Sequence, residues 1–384
     1  MHPDGAPRVG MVGGGQLARM SAAPAAALGI DFRVLASDLR ESAAQVVHDV
    51  VLGAHDDLES LKRLAEGCAV VTFDHEHVPP AHLEQLEAMG VAVRPGPSAL
   101  FHAQDKVHMR QALTDIGIPC PRWRVVDARD HVESFAEEVG WPVVMKTSRG
   151  GYDGRGVWVV DDPAQAAEVL NVPLAAGAQW LVEERIDFVQ ELSAQVARSP
   201  HGQAVAYPVV RTVQANGICS EVVAPAPGLA AERAVAAQEL ALRIARDLNV
   251  TGMLAVELFD DGAHLYVNEL AMRPHNSGHW TIEGARTSQF ENHLRAVLDL
   301  PLGSPAAVAP HAVMVNILGG DVPDLYSAYR HVMARDPGIK VHLYGKQVRP
   351  GRKVGHVTVV GNDLDDLLAR GRHAADYFMG VIDE

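Results

Sequence analysis

The chain has 384 residues, of which 48% are hydrophobic and 21% charged, and its formal net charge is −15. This length is too great for one ordinary core and predicts two or three globular domains. The negative charge argues against general binding to nucleic acid or to a membrane surface, and no apolar run reaches the length of a transmembrane helix.

The cysteines and the N-terminal segment indicate the compartment. Cys68, Cys120 and Cys219 are widely separated, so neither a disulfide framework nor a zinc site is expected. The N-terminal segment MHPDGAPRVGMVGGG lacks a basic region followed by an apolar stretch, so no signal peptide is expected. Together these features predict a cytoplasmic protein with reduced thiols.

The first hundred residues alternate short apolar strands with helical patterns. Strands are predicted at 8–13, 32–37 and 69–73, and helices at 14–29, 60–67 and 82–90. Such alternation is typical of a parallel sheet covered by helices. We assign residues 1–105 to an N-terminal parallel α/β, Rossmann-like domain.

The rest of the chain divides into a small central lid at 106–188 and a C-terminal α+β domain at 189–384. The lid begins with a helix that is closed by Gly117 and Pro119. Its strands are predicted at 142–148, 157–160 and 181–186. The C-terminal part has predicted strands at 193–198, 253–260, 264–270, 312–318, 340–344 and 355–360, and helices at 230–249, 289–298 and after Asp363.

A glycine-rich turn, GMVGGGQLA, joins the first strand to the first helix. The amides of such a turn, at a helix N-terminus, can bind an anion. Gly13, Gly15 and Ala18, with Asp38 about twenty residues further on, also match the dinucleotide-binding fingerprint. On these residues alone, NAD binding, binding of another anion and a tight turn without a ligand all remain open.

A second glycine-rich segment, RGGYDGRG at 149–156, follows Lys146 at the end of a predicted strand. Its glycines could form a flexible flap whose amides approach phosphates closely, and Lys146 could reach phosphate oxygens. The P-loop pattern is absent. We therefore expect a nucleotide-phosphate flap in preference to an ordinary hairpin turn.

Glu257 and Glu269 lie on a predicted pair of antiparallel strands. Mg²⁺ prefers oxygen ligands, commonly one or two carboxylates together with phosphates and waters. Unpaired burial of carboxylates in such apolar strands would be costly, which favours metal ligation over two solvated side chains. Two registers are possible, because a two-residue turn would put Glu257 opposite Tyr266, whereas a longer loop centred on Ala263 would put it opposite Glu269.

A dense polar run, ELAMRPHNSGHWT, directly follows the second of these strands and predicts a binding surface in preference to a plain surface loop. Its polar side chains are Arg273, His275, Asn276, Ser277 and His279.

A basic loop near the C-terminus, YGKQVRPGRKVGH, carries four cations around a Pro-Gly turn. In an acidic chain such a cluster favours a phosphate site over a solvated loop. Lys346 and Arg352 are expected to face a substrate pocket, and Arg352 is the better candidate for bidentate phosphate contact. Arg349 and Lys353 are expected to face solvent or a neighbouring carboxylate.

Four blocks, GGGQLARM, KTSRGGYDGRG, NELAMRPHNSGHWT and RPGRKVGH, resemble those of the N5-carboxyaminoimidazole ribonucleotide synthetase family in the same order. The resemblance covers residues 9–378. It implies an ATP-grasp fold, with ATP between the central lid and the C-terminal domain, Mg²⁺ as cofactor and a homodimer. It implies that ATP, bicarbonate and 5-aminoimidazole ribonucleotide give the N5-carbamate, ADP and phosphate, through carboxyphosphate or CO₂ released from it. In this family the N-terminal glycine-rich loop helps to bind the ribonucleotide and does not bind NAD.

The resemblance also implies residue roles. ATP contacts are implied for Lys106, Lys146, Gly151, Tyr152, Asp153, Gly154, Arg155, Gly156, Val157, Glu183, Glu184, Arg185, Ile186, Glu191, Gln214, Asn268 and Glu269. Ribonucleotide contacts are implied for Gly15, Gln16, Leu17, Glu76, Tyr152, Arg273, Ser277, Lys346 and Arg352. Catalytic roles, including bicarbonate binding, are implied for Arg155, Arg273, His275 and Asn276, and metal ligation for Glu257 and Glu269.

Two positions depart from the family pattern. Gln214 replaces a histidine that would contact ATP, and Asp74 stands where the family often has glutamate. Three rival functions are an ATP-grasp ligase with another acyl donor such as formate, an NAD-dependent oxidoreductase, and a non-catalytic nucleotide-binding regulator. The paired glutamates and the flap disfavour the oxidoreductase, and the additional polar run 273–279 disfavours the regulator.

Overall fold

The computed structural model describes residues 5–151, 154–215 and 217–383. Within those ranges, none of the helices combines the length and hydrophobicity that crossing a bilayer requires. The described strands form three sheets, two of four strands and one of nine.

The N-terminal sheet is parallel, with the strand order β3-β2-β1-β4, and confirms the parallel α/β prediction. Its strands are β1 (Arg8–Val12), β2 (Asp31–Ala36), β3 (Asp49–Leu52) and β4 (Val70–Phe73). Its helices are α1 (Gln16–Ala27), α2 (Leu58–Ala65), α3 (Pro80–Ala88) and α4 (Pro97–Gln104). Edge strand β3 was not predicted from the sequence.

The second sheet is antiparallel, with the order β5-β8-β6-β7. Its strands are β5 (Trp123–Val126), β6 (Val143–Thr147), β7 (Val157–Val160) and β8 (Trp180–Glu184). The helices of this region are α5 (Lys106–Asp115), α6 (Arg129–Val139) and α7 (Pro163–Leu170). The glycine-rich flap joins β6 to β7, as the sequence predicts.

The third sheet is antiparallel, in the order β14-β13-β9-β11-β12-β15-β17-β16, with β10 paired to β9. Its strands are β9 (Gln190–Arg198), β10 (Ala204–Ala206), β11 (Val210–Ala215), β12 (Ile218–Ala224), β13 (Gly252–Asp260), β14 (Leu265–Ala271), β15 (His311–Leu318), β16 (Lys340–Leu343) and β17 (Lys353–Gly361). Its helices are α8 (Ala231–Asp247), α9 (Thr281–Gly284), α10 (Gln289–Val297), α11 (Tyr329–Arg335) and α12 (Leu364–Met379), with 3₁₀ turns at Asn276–Gly278 and Leu325–Ala328.

A continuous hydrophobic cluster joins the N-terminal sheet to the nine-stranded sheet. It runs from Val12 and Phe73 through Met109 and Leu113 of α5 to Leu258 of β13. Burial of this surface is the main favourable term that holds α5 between the two sheets. Helix α5 therefore brings Lys106 next to the strands that carry the paired glutamates.

Candidate active site

The two glutamates lie directly opposite each other, as one of the two predicted registers requires. The loop between the strands has four residues, 261–264, because Asp260 pairs with Leu265. A β-bulge then shifts the pairing by one residue on β14. Leu258 pairs with Val267, but Glu257, the preceding residue of β13, pairs with Glu269. The bulge leaves Asn268 as the extra residue on β14 and turns its side chain towards the lysines.

Lysines from two elements converge on β14. Lys106 Nζ lies 2.9 Å from Glu269 Oε1, and Lys146 Nζ donates to Asn268 Oδ1 at 3.1 Å. The flap starts beside them, because the backbone N–H of Lys106 donates to Ser148 O at 2.8 Å. Two lysines beside a carboxylate pair form a cationic cradle suited to a polyphosphate.

The buried carboxylate of Glu183 fixes this cradle from behind. Its oxygens lie 2.6 Å from Arg110 Nε and 2.6 Å from Lys146 Nζ, and its side chain is 2% exposed. Burial would raise the pKa of Glu183, but Arg110 and Lys146 lower it to about 2. Arg110 also donates to the carbonyls of Val267 at 3.2 Å and Asn268 at 2.9 Å. One guanidinium thus links α5, strand β8 and the bulge.

Three carboxylates at this site have pKa values that are shifted in different directions. Burial, together with the charges of Glu269 and Glu191, raises the pKa of Glu257 to about 7. Burial raises the pKa of Glu191 to about 7 as well. Lys106 lowers the pKa of Glu269 despite its burial. A cation between Glu257 and Glu269 would relieve their repulsion, so this pair fits a hard divalent ion.

No group of three or more His, Cys, Asp or Glu side chains with metal-binding geometry occurs in the described part of the chain. Mg²⁺ commonly takes one or two carboxylates and completes its shell with phosphates and waters, so the Glu257–Glu269 pair could supply the protein ligands of such an ion.

The loop after β14 places His275 beside the carboxylate pair. His275 Nε2 lies 3.5 Å from Glu257 Oε1, and burial lowers the pKa of His275 to about 3. Its backbone N–H donates to Gln289 Oε1 at 2.8 Å, and Gln289 Nε2 donates back to the His275 carbonyl at 2.8 Å. Asn276 lies next to Cys219 of β12. The hydroxyl of Ser277 is buried beneath the loop, so its substrate contact remains a prediction that this placement does not favour.

The N-terminal glycine-rich turn is built around an internal carboxylate. Asp74 accepts a hydrogen bond from the Gly15 N–H at 2.6 Å, and a Cβ at either Gly13 or Gly15 would collide with that carboxylate. Gly13 also has a φ of 113°, which favours glycine. The Gly15 N–H, which the dinucleotide fingerprint would direct at a pyrophosphate, is thus already paired with Asp74, and this weighs against the NAD interpretation.

Residues from both ends of the chain meet beside this turn. Lys346 Nζ contacts Gln16 Oε1, and Arg273 Nε lies 2.8 Å from Glu76 Oε2. Burial raises the pKa of Asp74 to about 6, and the charges of Arg273 and Lys346 oppose that rise. Four residues of the predicted ribonucleotide set are thereby brought together, although they lie up to 330 positions apart.

In the basic loop, Arg349 and Arg352 are exposed, whereas Lys353 is half-buried. Arg352 Nη1 donates to the Gln347 carbonyl at 3.3 Å, and Arg349 Nη2 donates to the Gln347 side chain at 3.0 Å. Burial raises the pKa of Glu257 and lowers that of His275; the charge of Lys353 opposes the first shift and adds to the second, so Lys353 lies near the carboxylate pair. Lys353 thus meets the expectation of a neighbouring carboxylate and belongs with the site.

The other predicted site residues lie on the flap, at the end of β8, in α1 and on β11. Gly154, Arg155 and Val157 are exposed on the flap, and Tyr152 and Asp153 lie outside the described residues. Glu184 accepts from Arg122, and Arg185 lies 3.5 Å from Asp187. Ile186 is half-buried, Leu17 is buried in α1, and Gln214 lies opposite Cys219 on the β11–β12 pair.

Sequence reasoning missed Arg110 and Gln289. Arg110 follows Lys106 by four residues and therefore shares its face of α5. A cation on that otherwise buried face was a signal that could have been used. Gln289, at the start of α10, had no such signal, because its partners are the backbone groups of His275 and the ring of His279, which spacing does not place next to it.

The comparisons with known proteins agree with this geometry. The family model for the ATP-grasp domain matches residues 111–290, that for the ribonucleotide synthetase preATP-grasp domain matches 7–104, and that for the phosphoribosylaminoimidazole carboxylase C-terminal domain matches 312–370. Fold and site thus define an ATP-grasp enzyme.

N5-carboxyaminoimidazole ribonucleotide synthase of Mycobacterium tuberculosis is 55% identical over 97% of this chain and 88% of that protein. The synthetase structure from Thermus thermophilus has a TM-score of 0.85 at 38% identity and covers 98% of this chain and 99% of its own. The Aspergillus clavatus synthase, solved with ADP and 5-aminoimidazole ribonucleotide, has a TM-score of 0.88 at 32% identity over 97% of this chain and 98% of its own. The chain belongs to the N5-carboxyaminoimidazole ribonucleotide synthetase family.

Proposed function

We propose that the chain carboxylates 5-aminoimidazole ribonucleotide with bicarbonate at the expense of ATP, in purine biosynthesis. The main support for the proposal is that a site suited to a polyphosphate lies next to a site suited to a small anionic substrate. The lysine cradle and the Glu257–Glu269 pair suit a polyphosphate, and the Arg273–Glu76 and Lys346–Gln16 contacts suit a small anionic substrate. His275 lies between them, 3.5 Å from Glu257.

The first half of the reaction makes an activated carboxyl group. A bicarbonate oxygen attacks the γ-phosphorus of ATP, the bond to the ADP oxygen breaks, and carboxyphosphate forms. Lys106 and Lys146 bind the phosphate oxygens. Glu257 and Glu269 would hold Mg²⁺, and their site would then supply neutralisation of charge on the transferring phosphoryl group. Arg155, on the flap, and Arg273, His275 and Asn276, on the loop after β14, orient bicarbonate and its product.

The second half transfers the carboxyl carbon to the exocyclic amine of the ribonucleotide. The new C–N bond forms as phosphate leaves, directly or after release of CO₂. Gly15, Gln16, Glu76, Lys346 and Arg352 bind the ribonucleotide. The flap at 149–156 closes over the site, because carboxyphosphate hydrolyses if water reaches it.

Several finer features belong to the same proposal. The N-terminal domain ends at residue 105 and the lid at residue 188. The enzyme acts as a homodimer in the cytoplasm. Gln214 takes the place of the family histidine near ATP without preventing nucleotide binding.

The test is release of ADP and formation of the carbamate with each substrate omitted in turn. We expect tight coupling only when ATP, Mg²⁺, bicarbonate and the ribonucleotide are all present. Full activity with formate and none with bicarbonate would replace this proposal with a formate-dependent ligase.

A further inference from the structure

The imidazole of His275 caps the 3₁₀ turn that follows it. His275 Nδ1 accepts a hydrogen bond from the backbone N–H of Ser277 at 3.4 Å, and the Ser277 hydroxyl oxygen lies 2.9 Å from the same nitrogen. A backbone N–H can only donate. Nδ1 therefore offers its lone pair and does not carry a proton.

The hydroxyl of Ser277 has two further partners beneath the loop. Gln195 Nε2 donates to Ser277 Oγ at 2.9 Å, and Ser193 Oγ lies 2.7 Å from it. A hydroxyl has one hydrogen to donate and two lone pairs to accept with. Since Nδ1 is an acceptor, the Ser277 hydrogen points to Nδ1, whose one lone pair is shared by this hydroxyl at 2.9 Å and the backbone N–H at 3.4 Å. Gln195 and Ser193 donate to the two lone pairs of the hydroxyl oxygen. Every hydrogen-bonding position of this buried hydroxyl is then used.

The backbone of His275 is held independently of its ring. The amide of Gln289, which is fully buried, bridges the N–H and the carbonyl of His275. Because the His275 N–H must donate to Oε1, the Gln289 nitrogen is the atom that donates to His279 Nδ1 at 3.1 Å. The orientation of the amide is thereby determined, and the backbone segment that carries the His275 ring is fixed.

We propose that Ser277, supported by Ser193 and Gln195, fixes His275 as the Nε2–H tautomer, so that His275 presents a hydrogen-bond donor to the reaction centre. This inference rests on the proposed function. Nε2 faces the Glu257 side of the site, where bicarbonate and carboxyphosphate carry negative oxygens. A donor aimed at such oxygens stabilises them, and the same nitrogen cannot accept the proton of the substrate amine. Ser277, Ser193 and Gln195 are positioning residues in this arrangement.

The tautomer can be measured without turnover. We expect a proton–nitrogen correlation spectrum of histidine-labelled protein to show the His275 proton on Nε2, with the signal assigned by its loss in His275→Asn. Ser277→Ala should give a mixture of tautomers. Ser220→Ala is the matched control, because its hydroxyl donates to the Val213 carbonyl on a neighbouring strand. A proton on Nδ1 in the unaltered protein, or an unchanged tautomer in Ser277→Ala, would overturn the inference, and neither result depends on which substrate is used.

Two substitutions that replace the imidazole with a side-chain amide test the role of the donor. A glutamine amide can place an N–H near the position of Nε2, whereas an asparagine amide reaches only the position of Nδ1. We expect His275→Gln to keep kcat within about tenfold and His275→Asn to lose about a hundredfold or more, the usual loss for an oxyanion donor. Ser277→Ala should lose about tenfold to a hundredfold in carbamate formation with little change in the KM for ATP.

Thermal unfolding of each variant separates these effects from failure to fold. Equal and complete loss of activity in folded His275→Gln and His275→Asn would indicate that His275 acts as a base, and the inference would be wrong.

Discussion

Glu257 and Glu269 are directly opposed across β13 and β14, and Lys106 lies 2.9 Å from Glu269 alone. The pair is therefore asymmetric. The pKa of Glu257 is raised to about 7, with burial as the largest cause, while Lys106 lowers the pKa of Glu269. Glu269 is the carboxylate that stays ionised most readily, and it is the better anchor for a divalent cation.

Replacing Glu269 with alanine should abolish turnover while the protein stays folded. Removal of one charge-positioning group in phosphoryl transfer costs about a hundredfold or more in rate. Turnover is measured as ADP release at increasing magnesium, with Glu239→Ala, an exposed glutamate of α8, as the control. Near-normal turnover of Glu269→Ala at saturating magnesium would show that this carboxylate is not a metal ligand.

Arg110 and Arg122 offer a matched comparison of a buried and an exposed ion pair. Arg110→Ala leaves Glu183 buried with Lys146 as its remaining cation, and we expect the free energy of unfolding to fall by about 3–5 kcal/mol. Arg122 is 60% exposed beside Glu184, so Arg122→Ala should cost at most about 1 kcal/mol.

Denaturant unfolding measures both changes in stability. Because Arg110 also holds the carbonyls of the bulge, Arg110→Lys should raise the KM for ATP even where the protein folds. Similar losses of stability in Arg110→Ala and Arg122→Ala would refute the assignment of Arg110 as the buried clamp.

We expect the Asp74 carboxyl to make the free energy of unfolding fall as the pH rises. Burial raises the pKa of Asp74 from 3.8 to about 6, so the folded state binds more protons than the unfolded state between these values. The free energy of unfolding contributed by Asp74 therefore falls as the pH rises from about 4 to about 6, by about 3 kcal/mol. Asp74→Asn, which can still accept from Gly15, removes this dependence.

Urea unfolding of both proteins between pH 4 and 7 provides the measurement. The asparagine variant should gain stability relative to the unaltered protein as the pH rises. Parallel curves for the two proteins would mean that the carboxylate is not desolvated as the structure indicates.

We expect the basic loop to contribute to binding of the ribonucleotide and not of ATP. Arg352→Ala should lower kcat/KM for the ribonucleotide by about one to two decades, because a charge-assisted hydrogen bond is worth about 1.5–3 kcal/mol. The KM for ATP should change much less. Arg349→Ala is the control, since its guanidinium contacts the exposed Gln347 side chain. If both variants behave alike, or if the defect follows ATP, Arg352 does not bind the substrate phosphate.

The sequence by itself determined the types of element and the chemistry they carry. Apolar alternation identified the parallel N-terminal sheet, because its strands are short, regular and separated by helices. The residue types in the flap, the carboxylate pair and the polar run indicated phosphate and metal chemistry. Local spacing suffices for such features, since they depend on neighbours within one or two elements.

Tertiary structure decided what spacing left open. A one-residue bulge at Asn268 places Glu257 opposite Glu269, and the length of the turn alone does not predict such a bulge. Asp74 pairs with the Gly15 N–H of the glycine-rich turn from 59 residues away and weighs against the dinucleotide alternative. The proton position on His275 depends on Ser277, Ser193 and Gln195, which meet only when β9 packs beneath the loop. Contacts between distant segments depend on packing and burial, and these arise only when the whole chain folds.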